Sequence, residues 1–392
     1  MTATAQAPTV ADIHASIGRI CEGFDLDYWE RMDRDVRFPI EFWRALGEAG
    51  WHRILVPREH GGLGLGMRAI AAAIEETARG GAGQAGALFF VLSPIFGSLP
   101  ISRHGTPEQR ATYLPGLATG EDEFCMGLTE PEAGSNTLRI TTTARRDGDD
   151  WLVSGRKIWI SGVERARAML LVARTTPYDP ARPRHGITLF LLDHPAAARG
   201  FTFTPMNKLA LRVVHSHRLT LGDVRIPGAN VLGEVDNGLP ILFEVLNPER
   251  ISGAAGALGH TDLCIRLAVE RARTRAPFGK PIGSYQSIAF PLARLSAELA
   301  GARMLTYHAA DTFDRGDPAI VETTNAKLVA ASISEQAAEH AFHVYGGMAF
   351  EREQHVERLL RDAKLNRTAP VTEEMSLAHI AQHVLGLPRQ TS

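Results

Sequence analysis

Apolar residues recur at helical spacing through the first third of the chain. They do so in Phe38-Pro-Ile-Glu-Phe-Trp-Arg-Ala-Leu46 and again from Met67 to Thr77. Thr106-Pro107-Glu108 adds a helix start: an N-cap hydroxyl, a first-turn proline and a first-turn acid. The pattern changes near residue 122. Ile140-Thr-Thr-Thr-Ala-Arg145 alternates, Asp147-Gly-Asp-Asp150 turns, and Trp151-Leu-Val-Ser154 follows, which predicts a hairpin. Met169-Leu-Leu-Val-Ala173, Ile187-Thr-Leu-Phe-Leu-Leu192 and Arg218-Leu-Thr-Leu221 predict further short strands between Gly and Pro breaks. From about residue 238 the helical period returns, near 248–273, 285–314, 318–344 and 372–384. The expected class is α+β in three parts. These are an N-terminal helical domain over 1–121, a β-barrel-like middle domain over 122–237, and a C-terminal four-helix bundle over 238–392.

Composition narrows the function. The chain has 392 residues, enough for two or three domains with a large core. Its 42 Lys+Arg against 44 Asp+Glu give a net charge of −2, so neither nucleic acid nor an anionic membrane is an expected partner. Nearly all the basic residues are Arg; Lys157, Lys208 and Lys280 are among the few Lys. Cys21, Cys125 and Cys264 stand far apart with no metal-binding spacing, so neither a disulfide framework nor a metal site is expected. Reduced cysteines fit the cytoplasm. The start, MTATAQAPTVADIHAS, lacks the basic and apolar regions of a secretory signal. Gly80 to Ser102 carries no charge, but Gln84, Ser93, Pro94 and Pro100 predict a buried helix–turn segment rather than a membrane span.

Two segments carry candidate chemistry. Met126-Gly-Leu-Thr-Glu-Pro-Glu-Ala-Gly-Ser-Asn136 follows a strand, and Gly134 and Ser135 offer backbone N–H groups and a hydroxyl to an anion. Alone, it reads equally well as a β-turn rich in turn residues. Leu152-Val-Ser-Gly-Arg-Lys-Ile-Trp-Ile-Ser-Gly162 carries Trp159, flat enough to lie against a ring system, though a lone Trp is more often core. Gly61-Gly-Leu-Gly-Leu-Gly66 has the look of a dinucleotide fingerprint. It completes no strand–loop–helix unit, so a loop before a helix is expected.

Together these two segments resemble the acyl-CoA dehydrogenase family. The resemblance continues through Pro57-Arg-Glu-His-Gly-Gly62, Pro227-Gly-Ala-Asn-Val-Leu-Gly233, Arg275-Ala-Pro-Phe-Gly-Lys-Pro-Ile-Gly283, Tyr345-Gly-Gly347 and Arg361-Asp-Ala-Lys364. It implies an acyl-CoA substrate, FAD as cofactor, an electron-transfer flavoprotein as acceptor, and a homo-oligomer built as a dimer of dimers. It further implies that backbone at Met126, Leu128 and Thr129 meets the flavin ring. Gly134 and Ser135 would lie near the pyrophosphate, with Ser135 also near the CoA arm. Trp159 and Ser161 would flank the isoalloxazine. Arg275, Phe278, Gln286, His343, Gly346 and Gly347 would hold the ADP half of FAD bound to a neighbouring subunit, and Thr372 is a further cofactor position. An Arg fork suits a pyrophosphate, and adjacent glycines allow close backbone approach.

Loss of a β-hydride requires a base for the α-proton: a carboxylate with its pKa raised toward neutrality in a dry pocket. One family position for that base, counted from Arg361-Asp-Ala-Lys364, is Pro370, which cannot serve. The other is Glu249 in Leu246-Asn-Pro-Glu-Arg250, and Glu249 is the expected base. The same residues also read as a plain helix start, with Asn247 as N-cap, Pro248 at the first position and a first-turn acid. That placement lowers a pKa and opposes the role. Asn247 and Arg250 are expected to touch substrate. Glu373 and Glu374 are displaced alternatives for the base. Pro370 also lacks the N–H that, in the family, helps hold the thioester carbonyl. An alternative function is a flavin oxidase or monooxygenase acting on a non-CoA substrate. A third is a binding protein without catalysis.

Overall fold

The computed structural model describes residues 7–389, so the first six residues of the N-terminal reading lie outside it. The chain opens with α1 (Val10–Cys21), α2 (Leu26–Arg34), α3 (Ile40–Glu48) and α4 (Met67–Thr77). The glycine-rich stretch at 61–66 is a loop, as expected. Its helix, α4, starts with its N–H groups on a carboxylate: Asp314 Oδ1 accepts from Met67 N at 2.7 Å and Oδ2 from Arg68 N at 2.9 Å.

Beyond α4 the backbone stays helical but broken. Gly81 (φ 134°) and Gly83 (φ 60°) interrupt it, followed by α5 (Leu88–Phe90), irregular turns through Pro94, and α6 (Leu99–His104). Met67–His104 is long and apolar enough to cross a membrane, yet most of it is buried inside the fold. α7 (Pro107–Thr119) begins at Thr106 with a reciprocal capping box in which Gln109 is the partner.

The middle region is one sheet. Its strands are β1 (Glu123–Gly127), β2 (Thr143–Asp147), β3 (Asp150–Ser161), β4 (Ala166–Arg174), β5 (Ile187–Asp193), β6 (Phe201–Pro205), β7 (Ser216–Ile226) and β8 (Val231–Leu232). The order is β6-β7-β3-β2-β4-β5-β8, with β1 added parallel to β4. The expected hairpin is β2–β3, closed by an Asp147↔Asp150 pair around Gly148 at φ 64°. β4 is covered on both faces, which accounts for its unbroken apolar run.

The last region holds α8 (Leu239–Thr274), α9 (Gln286–Asp314), α10 (Ile320–Tyr345), α11 (Val356–Ala363) and α12 (Glu373–His383). One expectation fails here. α8 starts at Leu239 with Pro240 in its first turn, so Asn247 is not an N-cap and Pro248 lies inside the helix. The apolar run from Leu239 to Val245 carries enough core contact to start the helix early, and the cost of one interior proline is absorbed. Glu249 therefore sits beyond the first turn, where the helix dipole has little hold on it.

α8 lies close against α4. A Cβ added at Gly259 would stand 2.0 Å from the Glu75 carbonyl oxygen and 2.7 Å from Ala78 Cβ. Gly259→Ala is expected to cost about 2–3 kcal/mol through forced separation of the two helices. Thermal unfolding should register that loss, whereas Gly301→Ala, with open space around it, should be neutral or mildly stabilising.

Candidate active site

Glu249 shares a helix face with Gly253, Gly256 and His260. The contacts of that face show what it looks onto. A Cβ at Gly253 would be 3.2 Å from Pro370 Cδ, and one at Gly256 would be 3.0 Å from Ala87 Cβ. Gln84 N donates to His260 Nδ1 at 3.2 Å. So Pro370 does come to the Glu249 stripe, opposite the broken segment after α4. Between residues 81 and 101 only Leu88 stays partly open. Half-buried Met126, at the end of β1, packs on the same core. Glu249, Leu88 and Met126 are each half-buried, and Pro370 near the Glu249 face is exposed.

No hydrogen bond reaches the Glu249 carboxylate among the described residues. Its surface is partly open, yet protein atoms crowd it. Burial therefore raises its pKa from 4.5 to about 7, against the smaller opposing pull of Arg250. Arg250 is itself held below its ordinary value by burial. Its Nη1 donates to Asn247 Oδ1 at 3.3 Å, and Asn247 Nδ2 donates to the Pro318 carbonyl at 2.9 Å. Asn247 and Arg250 line an outer cleft of about 870 Å³, with Phe243, Phe313, Thr324 and His379. Glu249 is not in that lining. It occupies the adjoining helix face, a fraction of a turn away.

The β domain adds a second wall. Lys157 Nζ is buried and donates to the Leu128 carbonyl at 2.9 Å and to Glu130 Oε1 at 3.0 Å. Glu130 also accepts from Thr141 N at 2.6 Å and Thr142 N at 2.9 Å. Burial works to raise the Glu130 pKa, but Lys157 and these donors outweigh it and hold it at about 2. Ile158 N donates to the Thr129 carbonyl at 2.9 Å. The Leu128–Thr129 backbone is thereby clamped against β3. The Leu128 side chain is core, so only its backbone can face a ligand, and Lys157 already takes its carbonyl.

Trp159 stands beside this clamp in a left-handed conformation at φ 64°, within an irregular stretch of the β3–β7 pairing. The indole is 57% exposed. Tryptophan does not sit there by preference; the strain is of order 1–2 kcal/mol. An exposed flat ring on a strained strand fits a planar ligand. Ser161 is half-buried and bonded to Ser216. Gly134 and Ser135 are exposed, with no atom within 4 Å of a Cβ at Gly134.

The remaining expected cofactor residues gather elsewhere. Arg275 caps α8, Phe278 is 81% exposed in the loop that follows, and Gln286 opens α9. His343 lies near the end of α10. Gly346 caps that helix at φ 60°, ψ −135°, and Gly347 follows with open space around it. Arg271 links these helix ends, its guanidinium lying over the Tyr345 ring at 5.4 Å to the centroid. At about 1.5 Å per residue, this end of α8 stands about 40 Å from Glu249. One chain does not bring the two groups together. Thr372 is the N-cap of α12, its hydroxyl accepting from Met375 N at 3.2 Å, which accounts for the residue without a ligand.

Three family models match nearly the whole chain: the acyl-CoA dehydrogenase N-terminal domain at 10–121, the middle domain at 125–224 and the C-terminal domain at 236–385. The chain belongs to the acyl-CoA dehydrogenase family. Among acyl-CoA dehydrogenases, FadE12 of Mycobacterium tuberculosis is 38% identical over 365 residues, covering 93% of this chain and 92% of its own. The glutaryl-coenzyme A dehydrogenase glutaryl-CoA complex superposes with a TM-score of 0.91 at 28% identity, covering 98% and 96% of the two chains. A glutaryl-CoA dehydrogenase from Mycobacterium smegmatis in complex with FADH2 superposes at 0.89 with 26% identity, covering 99% and 98%.

The displaced alternatives for the base both lie in the first turn of α12. Glu373 is bonded to Arg367, and Glu374 is exposed on α12. The sequence reading missed the residues that hold the site's loops. The chain has five lysines, and three of them place their ammonium groups on backbone carbonyls. These are Lys157 on Leu128, Lys208 on Leu211 and Val214, and Lys327 on Val371, beside Pro370. Scarcity of lysine was the one available signal.

The raised pKa of Glu249 makes a stability prediction. Unfolded, the group ionises near 4.5; folded, near 7. The wild type is fully stabilised below the lower value and loses that share as pH rises through the upper one. Glu249→Gln should therefore melt like wild type near pH 4.5 and several degrees higher at pH 8. An equal shift at both pH values would mean the carboxylate is not desolvated.

Proposed function

We propose that the chain oxidises an acyl-CoA thioester to the trans-2-enoyl-CoA, with Glu249 removing the α-proton. The observation that carries this reading is the unbonded, crowded Glu249 carboxylate with a pKa of about 7, next to Pro370 at the family's other base position. A base of this kind takes a proton from carbon near neutral pH without being sequestered by a donor. The cofactor is FAD, which supplies the acceptor for the β-hydride when bound. Its fit is supported by the exposed, strained Trp159, the clamped Leu128–Thr129 backbone and the open Gly134–Ser135 turn.

The chain's own groups divide the remaining work. The acyl group lies against half-buried Leu88 and Met126 and, once bound, keeps water from the carboxylate. The outer cleft, with Arg250 held by Asn247, takes the CoA arm. Because Pro370 has no N–H, the thioester carbonyl is held by other groups. The Arg275–Gly347 cluster holds the ADP half of FAD for a second copy of the chain, since it stands about 40 Å from its own Glu249. The working unit is accordingly an oligomer, assembled as a dimer of dimers. Electrons leave to an electron-transfer flavoprotein.

Purified protein mixed anaerobically with a panel of acyl-CoAs should lose its flavin absorbance with at least one member and recover slowly in air. Rapid peroxide production, or bleaching only with non-CoA substrates, would favour the oxidase alternative. Glu249→Gln should stay yellow and slow this reduction by about 10²- to 10⁴-fold. In wild type, kcat/KM should climb with pH to a plateau, with a midpoint near the Glu249 value of about 7. Near-normal reduction of the Gln variant would place the base elsewhere.

A further inference from the structure

Asn247 is buried on α8, and both ends of its amide are engaged. Its Nδ2 donates to the Pro318 carbonyl at 2.9 Å, and its Oδ1 accepts from Arg250 Nη1 at 3.3 Å. A carbonyl only accepts and a guanidinium only donates, so the amide fits one way round. A carboxylate of the same size would set a charged oxygen against the Pro318 carbonyl. The backbone before α10 thus demands a donor where Arg250 demands an acceptor, and an amide is the side chain that meets both. Arg250 consequently has a neutral partner. In the same cleft Arg103 is paired with Glu244 at 3.2 Å, whereas Arg250 makes no ion pair among the described residues.

The groups around Arg250 and Glu249 leave that charge in force. Burial chiefly lowers the pKa of Lys327 on α10 and of His379 on α12, and nearby Arg250 adds to it in both. Arg184, His383 and the acids Glu244 and Asp317 line the same cleft. Glu244 is taken up by Arg103 and His104, and Asp317 accepts from Ala319 N at 2.8 Å. On the elements that meet the Glu249 face, Ala87, Gln84 and Pro370 carry no charge. His260, further along that face, is kept neutral by burial, with a pKa of about 3. Arg250 is the one charge that works on Glu249 against burial.

We propose that Asn247 is a positioning residue that tethers the Arg250 guanidinium beside Glu249 without neutralising it, so that its full charge acts on the carboxylate. Its bearing on catalysis rests on the reading of Glu249 as the base. A guanidinium near a crowded carboxylate favours the ionised form, and a carboxylate on the guanidinium would cancel that help. The amide gives Arg250 a fixed place at no cost in charge.

The test needs no substrate. Melting temperatures are measured from pH 4.5 to 9.5 for pairs of proteins that differ only by Glu249→Gln. Within each pair the Gln form should gain on the Glu form as pH rises, and the gap should level off at the folded pKa of Glu249. With Asn247 in place that plateau should begin near pH 7. In the Asn247→Asp pair it should begin about 0.5–1 pH unit higher, since the new carboxylate pairs with Arg250. In the Asn247→Ala pair, with Arg250 charged but untethered, it should rise by less. If the Asp variant does not fold, Arg250→Gln should give the upward shift and Arg250→Lys should stay near wild type. A plateau that does not move in the Asp pair, or is the same in the Ala pair and wild type, would overturn the proposal. An unmoved plateau in Arg250→Gln would do the same. The midpoint of kcat/KM against pH should follow the plateau. Shifted plateaus in a chain that no acyl-CoA reduces would sink the proposed function and leave this tuning standing. Reduction that needs Glu249, with plateaus indifferent to Asn247, would do the reverse.

Discussion

The candidate site depends on keeping one carboxylate crowded by protein and unsatisfied without unfolding the helix that carries it. A buried acid usually recruits donors, and donors would drop its pKa out of the useful range. Here α8 carries Glu249 past a proline and onto a face shared with two glycines, where the neighbours are Ala87, Gln84 and the Pro370 ring. The small residues bring those neighbours near, and no described group offers the carboxylate a hydrogen bond. Pro370 fits the same logic: the ring that meets this helix face can neither ionise nor donate.

The walls of the site are held by a different device. Lys157, Lys208 and Lys327 each place an ammonium on carbonyls of an irregular segment: the turn after β1, the run into β7, and the loop before α12. Loops carry binding groups but lack a ladder to hold them, and a cation at the carbonyl supplies what the ladder does not. Lys157 is additionally paired with Glu130, so removal of either partner would strand a charge in the core.

Much of this was legible in the sequence, and the failures have causes. The helical and β regions follow from the change of apolar period at about 122 and its return near 238. The Thr106 cap and the Asp147–Asp150 hairpin follow from local chemistry alone. Asn247-Pro248 misled because a proline in the first turn and a proline tolerated mid-helix look alike locally; only the packing of Leu239–Val245 separates them. The short α11 and the fragmentation of 78–104 also escaped, since glycine breaks do not announce how often a buried chain resumes its turn. The lysine clamps join residues such as Lys157 and Glu130 that are 27 positions apart, and no local pattern relates them.

α8 carries Glu249 toward one end and the Arg275 cluster at the other. On the proposed arrangement, every copy lends its far tip to a neighbour and borrows a tip in return. Damage is then not confined to the molecule that bears it. A copy faulty at Arg275 keeps a sound proton acceptor yet starves a healthy companion of its nucleotide grip. In a mixed population each faulty copy silences one site, and the site lost belongs to its companion.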